Sequence, residues 1–495
     1  MNPVFLTDGY KLLHHQMYPE GTSLVFSNFT PRRNSYGPAG IDGVLVVGTG
    51  YAVQYLHDMF YKEFFQKPKK EVIAQIKEEF SMYTGLPYDP THFEDLHDLR
   101  FLPIIVRSLD EGTVCPFGVP ILTINNTLPQ FYWLPNFLET IISNLLWKPV
   151  TAATYALEYR KILEKWANKT SPEAIGFVDF QAHDFSMRGL SGVSAAEQVG
   201  IGHNSVFSGS DNIPSILACR KYYDAEGFVV GGVPATEHSV MSMGTKEAEQ
   251  ATFQRLLETY PKGILSVVSD TWNLWEVVTT FATNLKSLIL SRDGKLVIRP
   301  DSGDPVKILC GDVNYTNPSD PYEKCIQKGV IELLWDVFGG HVNSSGYKVL
   351  DSHIGAIYGD SITLERAEKI CQLLADKGFA STNVVLGVGS YTYQYNTRDT
   401  FGMAMKATFG VVKGEPREIF KDPITDDGLK KSAKGLLQVE KENGVYVLKE
   451  VPFTDEDTIK DARFDSELKP IFMDSVIFNI PNFSTIRDRV KQLTK

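Results

Sequence analysis

No stretch of eighteen or more consecutive apolar residues occurs in this sequence, so no membrane-spanning helix is expected. The first residues, MNPVFLTDGYKLLHH, lack a basic region followed by a long apolar run, which argues against a secretory leader. Cysteine is scarce and scattered: Cys115, Cys219, Cys310, Cys325 and Cys371 are odd in number and form no CxxC pair. That excludes a disulfide framework and points to reduced, mostly buried thiols in a cytoplasmic protein. Basic residues are in deficit, 49 against 60 acidic, for a net charge of −11. General nucleic-acid binding is therefore not expected, although a local basic cluster would suffice for a phosphorylated small molecule. Several catalytic signatures are also missing. There is no GxSxG elbow, no HExxH, no His/Cys set at zinc spacing and no GxGxxG dinucleotide fingerprint.

What is present is ample core material. Hydrophobic residues make up 43% and charged residues 22% of 495 residues, the balance of a globular protein. At roughly 150 residues per domain this implies about three domains, or two with one large α/β unit. The lysine-rich KPKKEVIAQIKEEF reads as the solvated face of a helix. RRNSYGPAGIDG reads as a mobile loop. The stretch from PQFYWLPNFLETIISNLLW to EYRKILEKWANK reads as helix interrupted at Pro149.

From about residue 175 to 400 short β-branched runs alternate with amphipathic stretches. AIGFVDF, GILSVVSD, KLVIRPDSG, HIGAIYGD and TNVVLGVGS are strand candidates. In TLERAEKICQLLADKG, Leu364, Ala367, Cys371 and Leu374 recur at helical spacing, with Gly378 as the stop. Strands alternating with helices imply a parallel sheet, open or closed into a barrel. FGMAMKATFGVV and VYVLKEVPF read as later strands, and IFKDPITDDGLKKSAKG as a polar segment. The expected division is a discontinuous mixed α+β domain, residues 1–174 plus 401–495, and an α/β barrel domain, residues 175–400.

The strand candidates end in residues that do chemistry: Asp270, then Arg299, Asp301 and Asp304, then Gly359 and Asp360, then Gly387 and Gly389. Parallel α/β folds gather their sites at the carboxyl ends of strands, where helix N-termini and loops meet. Arg299 offers a planar fork for phosphate, and Asp301 an acceptor for ribose hydroxyls or for water on Mg²⁺. The same residues also suit a salt-bridged turn. Gly359 and Asp360 precede a helix with Ser361 and Thr363 as cap candidates, a place for phosphate or a plain cap. HDFSMRG carries Phe185, able to stack on a flat ring, and Arg188; a core phenylalanine with a paired arginine is the alternative. Asp211, in FSGSD, can accept from an amide or shape a turn. His238, in GGVPATEHS, sits in what reads as a strand entering a loop beside Glu237, either packed or acting as base or nucleophile.

Taken in order along the chain, the motifs resemble those of the nicotinamide phosphoribosyltransferases, a family of type II phosphoribosyltransferases. They are TDGYKLLHHQMYP at residues 7–19, HDFSMRG at 183–189, FSGSD at 207–211, VPATEHS at 233–239, SVVSD at 266–270, IRPDSGDP at 298–305, GD at 359–360, NTRD at 396–399 and FKDP at 420–423. The resemblance implies an irregular parallel α/β barrel with a second mixed α+β domain built from the N- and C-terminal segments. It implies joining nicotinamide to 5-phosphoribosyl-1-pyrophosphate, with release of pyrophosphate, in NAD salvage. Phe185 would stack on the base and Tyr10 of the partner subunit would cover its other face. Asp211 would accept from the carboxamide. Arg188 and Arg299 would contact phosphate and Asp301 the ribose. Gly359, Asp360 and Gly389 would line the ribose-phosphate pocket, and Asp270 would support the ribose or Mg²⁺. Arg398 and Lys406, from the partner in a homodimer, would contact phosphate or pyrophosphate, with Arg32 and Lys421 as weaker candidates. His238 would be phosphorylated by ATP, which stimulates transfer. The glycine-rich GSGGG of the family's vertebrate members stands here as GVGSY, with Ser390 replacing a glycine. Two rivals remain: a nicotinate phosphoribosyltransferase, disfavoured by the charge of Asp211, and a catalytically silent ligand-binding protein.

Overall fold

The β-branched runs of the middle of the chain fold as one all-parallel sheet. Its strands are β1 (Ala182–Asp184), β2 (Gly209–Ser210), β3 (Lys262–Val268), β4 (Asp293–Arg299), β5 (Ile354–Tyr358) and β6 (Val384–Val388). They lie in the order β2-β1-β6-β5-β4-β3. Every residue of β5 is buried, as expected for a parallel strand covered on both faces. The computed structural model describes residues 1–421, 433–460 and 466–494, so Asp422 and Pro423 of the FKDP motif lie outside the described residues.

The two edges of this sheet, β2 and β3, meet through a short irregular segment. Gly231 forms a parallel bridge with Gly209, and Ala235 with Ser266. The Ser210 N–H donates to the Gly231 carbonyl at 3.2 Å, and the Ser266 N–H to the Pro234 carbonyl at 2.9 Å. Pro234 has no N–H to give a ladder, so the seam is two isolated bridges rather than a strand. The sheet is thus an irregular α/β barrel.

Helices between the strands follow their sequence signals. In Leu364–Asp376 the Thr363 hydroxyl caps the Arg366 N–H, and Ala367, Ile370, Cys371 and Leu374 form the buried face. Gly378, at φ +77°, follows the last turn, a conformation that favours glycine.

Three local expectations are corrected. AIGFVDF is not a strand: residues Pro172–Phe177 and Val178–Gln181 are helical turns, and only Ala182–Asp184 is extended. Pro172 at the first helical position starts a turn instead. Pro149 does not interrupt its helix, which runs unbroken from Leu134 to Thr170. Its ring packs close to Gly48, where a Cβ would sit 2.6 Å from Pro149 Cγ. Two nearby hydroxyls bond back to carbonyls one turn earlier, Thr151 to Trp147 and Thr154 to Val150, both at 2.7 Å. His238 is not in a strand or loop but opens a short helix, His238–Met243, with Glu237 as its cap residue.

The chain divides into two compact units: residues 1–154, 218–225 and 396–493, and residues 155–217, 226–395 and 494–495. The second holds the barrel. The first is built from both ends of the chain around a seven-stranded antiparallel sheet. At its centre Thr22–Thr30 pairs with Ala404–Val412 on one side and Leu122–Asn126 on the other. Leu24, Phe26, Phe409 and Val411 form a hydrophobic cluster there. Residues 218–225 join this unit through Tyr223, whose hydroxyl donates to the buried Glu111 at 3.0 Å and accepts from the Tyr51 N–H. Among the described residues no helix is long and apolar enough to cross a membrane.

Candidate active site at the strand ends

The carboxyl ends of the barrel strands bring together most of the sequence candidates. Asp270 follows β3 and Asp301 follows β4. One oxygen of Asp270, Oδ2, accepts from the Asp301 and Ser302 N–H groups at 2.8 and 2.7 Å. Its other oxygen, Oδ1, is buried without a hydrogen-bond partner among the described residues. Asp304, by contrast, caps the helix Pro305–Cys310 and is a structural residue.

His238 faces this pair. Its Nε2 lies 3.8 Å from Asp270 Oδ1 and 3.9 Å from Asp301 Oδ2. Its Nδ1 is 3.1 Å from the Thr271 hydroxyl. The imidazole remains 44% exposed, open to a ligand. The sequence neighbour Glu237 instead accepts from the Ser239 hydroxyl. The carboxylates that matter to His238 thus arrive from β3 and β4, not from the adjacent position.

Arg299 ends β4 with little committed. Nη1 reaches the Thr236 carbonyl at 3.4 Å, Nη2 is 4.0 Å from Asp301 Oδ2, and the buried Nε has no hydrogen-bond partner. Its guanidinium carbon lies 5.7 Å from the centre of the Phe185 ring. Gly359 closes the space beside it: a Cβ there would sit 3.1 Å from Arg299 Nε and collide with Asp301 Oδ1. Gly389 plays the same part for Asp360, whose carboxylate occupies the room a Cβ would need.

Asp360 borders a cavity of about 670 Å³, with Ser361, Thr363, Arg366, Lys369 and Tyr391. Arg366 donates to the Ser361 carbonyl at 2.6 Å, and Ser361 adopts φ +56°. Of the two cap candidates, only Thr363 caps. Ser390, the residue in place of a glycine, lies against Gly189: a Cβ at 189 would collide with its hydroxyl.

The base-binding candidates gather on β1 and β2. Phe185 follows β1, half-buried, and the His183 ring lies against it, centroids 4.6 Å apart. His183 Nε2 is 2.8 Å from Asp211 Oδ1. Arg188 is exposed just beyond. Burial first, then the charges of Asp270 and Asp301, pushes the Tyr358 hydroxyl well above the usual tyrosine range.

The remaining candidates belong to the first unit. Tyr10 is 67% exposed on a segment pinned by Lys11, whose ammonium donates to Glu139 Oε2 at 2.7 Å. Arg398 and Lys406 are exposed, as is Lys421. Arg32 donates from Nε to the Gly402 carbonyl at 2.9 Å. Burial, then its neighbours Arg33 and Arg398, holds the Arg32 guanidinium below the usual arginine range, so these three arginines lie near one another. Among the described residues no group of three or more His, Cys, Asp or Glu side chains is arranged to hold a metal ion by itself.

Sequence reasoning placed His183 in the HDFSMRG motif without a role, and missed Thr271, Arg366 and Lys369. The first had a legible signal: residues two apart on a strand share a face, so His183 accompanies Phe185. The others had none, because Thr271 is a plain loop hydroxyl and the two cations sit on an amphipathic helix.

The profile of the nicotinate phosphoribosyltransferase (NAPRTase) family matches residues 180–474. A protein of Acinetobacter baylyi named nicotinamide phosphoribosyltransferase is 46% identical over 460 residues, 90% of each chain. One of the same name from Mycoplasma pneumoniae is 35% identical over 435 residues, 85% of this chain and 92% of that one. Among solved structures, the nicotinate-nucleotide pyrophosphorylase of Pyrococcus furiosus matches with a TM-score of 0.56 at 16% identity, over 99% of this chain and 95% of that one. Human nicotinic acid phosphoribosyltransferase gives 0.54 at 16% identity, over 99% and 93%. These two structures share the fold.

Proposed function

The chain belongs to the nicotinate phosphoribosyltransferase family, and from that premise we propose that it is a nicotinamide phosphoribosyltransferase. It joins nicotinamide to 5-phosphoribosyl-1-pyrophosphate and releases nicotinamide mononucleotide, for NAD salvage, and pyrophosphate. One observation carries the choice of base: the carboxylate of Asp211 is tied at 2.8 Å to His183, whose ring lies against Phe185. A carboxylate accepts from a carboxamide N–H and repels the carboxylate of nicotinate.

In this reading Phe185 stacks on the pyridine ring and Asp211 holds its amide. The uncommitted donors of Arg299 suit phosphate oxygens, and Arg188 adds a second cation. Asp301 accepts from the ribose hydroxyls. Gly359 and Gly389 make room for the Asp301 and Asp360 carboxylates, which with them line the ribose-phosphate pocket. As the bond from the ribose carbon to pyrophosphate breaks, positive charge develops on the sugar. The negative field of Asp270 and Asp301 stabilises it, and the ring nitrogen of the base attacks from a fixed distance. The donor set fits Mg²⁺ held largely through water and phosphate, because Asp270 Oδ1 is buried and unpartnered beside Asp301. When bound, that ion neutralises charge on the departing pyrophosphate.

His238 is proposed to take the terminal phosphoryl group of ATP on an imidazole nitrogen, with release of ADP. Its exposure and its hydrogen-bond contact with Thr271 support that role. Tyr10, Arg398 and Lys406 of the partner subunit complete each site in a homodimer. The five cysteines form no disulfide among the described residues, which supports a reducing compartment, the cytoplasm.

The test is direct. Protein is mixed with Mg²⁺, the phosphoribosyl donor and either nicotinamide or nicotinate, and both mononucleotides are assayed. Nicotinamide mononucleotide is expected in excess. Preference for nicotinate would move the chain to the rival activity, and no product at high enzyme concentration would favour a silent binding protein.

A further inference from the structure

We propose that His183 is a positioning residue: it locks the Asp211 carboxylate as an acceptor and thereby sets the preference for an amide over an acid. The proposal rests on the nicotinamide reading and deepens it.

The pairing of β1 with β2 places His183 directly beside Gly209, and Asp184 beside Ser210. Asp211 follows at once, its N–H held by the Asp184 carbonyl at 3.0 Å. Two glycines make the room. A Cβ at Gly209 would sit 2.8 Å from His183 Nδ1, and a Cβ at Gly232 would sit 2.8 Å from Asp211 Oδ1. The ring is therefore wedged between the Gly209 backbone on one side and Asp211 on the other. A third restraint is the Phe185 ring, tilted 35° against it.

The chemistry of the contact is one-directional. An ionised carboxylate only accepts, so the proton of this hydrogen bond belongs to His183 Nε2. The histidine side chain is 12% exposed, whereas that of Asp211 is 52% exposed. One oxygen, Oδ1, is thus held from the protein side. The other, Oδ2, has no hydrogen bond among the described residues and is free to receive an N–H from a ligand. A carboxylate held this way has a fixed aim. Freed from His183, it could rotate away from the base, and both its attraction for the amide and its repulsion of an acid would weaken.

The experiment compares wild type, His183→Ala and His183→Gln, measuring kcat and KM for nicotinamide and for nicotinate. Glutamine loses the ring but keeps a donor near the Nε2 position. In His183→Ala the nicotinamide KM should rise more than kcat falls. The nicotinamide-over-nicotinate ratio of kcat/KM should drop about ten-fold or more, the effect of losing a hydrogen bond to a charged group. His183→Gln should restore most of that ratio. Calorimetric titration of nicotinamide into each variant, after thermal unfolding has shown it folded, reads the same loss at equilibrium. An unchanged ratio in His183→Ala, or a ratio in His183→Gln as low as in His183→Ala, would overturn the proposal while leaving the enzyme's activity in place. A wild type that makes no nicotinamide mononucleotide would overturn the underlying reading instead, and this proposal with it.

Discussion

Asp270 shows how one side chain can serve fold and chemistry at once. Oδ2 organises the turn after β4 by taking two backbone N–H groups, and Oδ1 stays buried and open. A buried carboxylate oxygen without a partner is costly, and a ligand or ion at that point would relieve it. His238 faces the same oxygen at 3.8 Å, beyond hydrogen-bond reach, and so does not relieve it. For His238→Ala the expected outcome is loss of stimulation by ATP with some base transfer retained. Transfer rates measured with and without ATP check it, and unaltered stimulation would sink the assignment. For Asp211→Ser the expected outcome is a weaker preference for nicotinamide over nicotinate. Removing a like charge that faces the acid changes the balance by roughly a few kcal/mol if the pair is desolvated. Paired kinetics with both bases read that change, and an identical preference would remove Asp211 from the base pocket.

At the scale of elements, the N-terminal segment that bears Tyr10 is held to the helix Thr91–Leu99 by a pair of histidines. The rings of His15 and His92 stack with centroids 3.8 Å apart. The Tyr88 hydroxyl lies 3.5 Å from His92 Nε2, and Trp133 meets the same ring edge-on. Burial, then the neighbouring His15, drives the His92 imidazole down to about 3, against a small opposing pull from Asp89. The unfolded chain therefore binds a proton near pH 6.5 that the folded one refuses. Stability from this pair is complete above pH 6.5 and is lost as pH falls toward 3. The limit for one group is about 1.4 kcal/mol per pH unit in that window, reduced by solvent at a half-buried ring. Denaturant midpoints at pH 7 and pH 5 should show a smaller drop for His92→Phe than for wild type. Equal drops would show that the pair does not carry the effect. Elsewhere at this scale, the helix Leu134–Thr170 continues unbroken through Pro149, although proline gives no N–H to the Leu145 carbonyl one turn earlier.

For the whole molecule, the candidate residues fall in two compact units, with Phe185, Asp211, His238, Asp270, Arg299 and Asp301 in one and Tyr10, Arg398 and Lys406 in the other. The homodimer proposal assigns the second group to the neighbouring subunit's site. It has a specific consequence. Mixing inactive Tyr10→Ala protein with inactive Phe185→Ala protein, with exchange of subunits, should recover part of the wild-type activity. A mixed dimer would hold one site with both rings intact. No recovery, in a sample whose mass shows mixed dimers, would place Tyr10 in its own chain's site or in none.

Much of this was legible in the sequence, for a definite reason. Strand ends, helix caps and the apolar face of Leu364–Asp376 are set by residues within a few positions of one another, and side-chain periodicity reports them directly. So the polar endings of β3, β4, β5 and β6 are legible locally as a candidate site, and the order of motifs names the family. What tertiary structure alone decided is each relation that crosses strands. The barrel closes through two bridges around Pro234, His238 takes Asp270 and Asp301 rather than Glu237 as its carboxylates, and His183 grips Asp211. Those partners lie 22 to 63 residues apart in the chain. Register between strands joins them, and register depends on the packing of the whole sheet rather than on any local pattern.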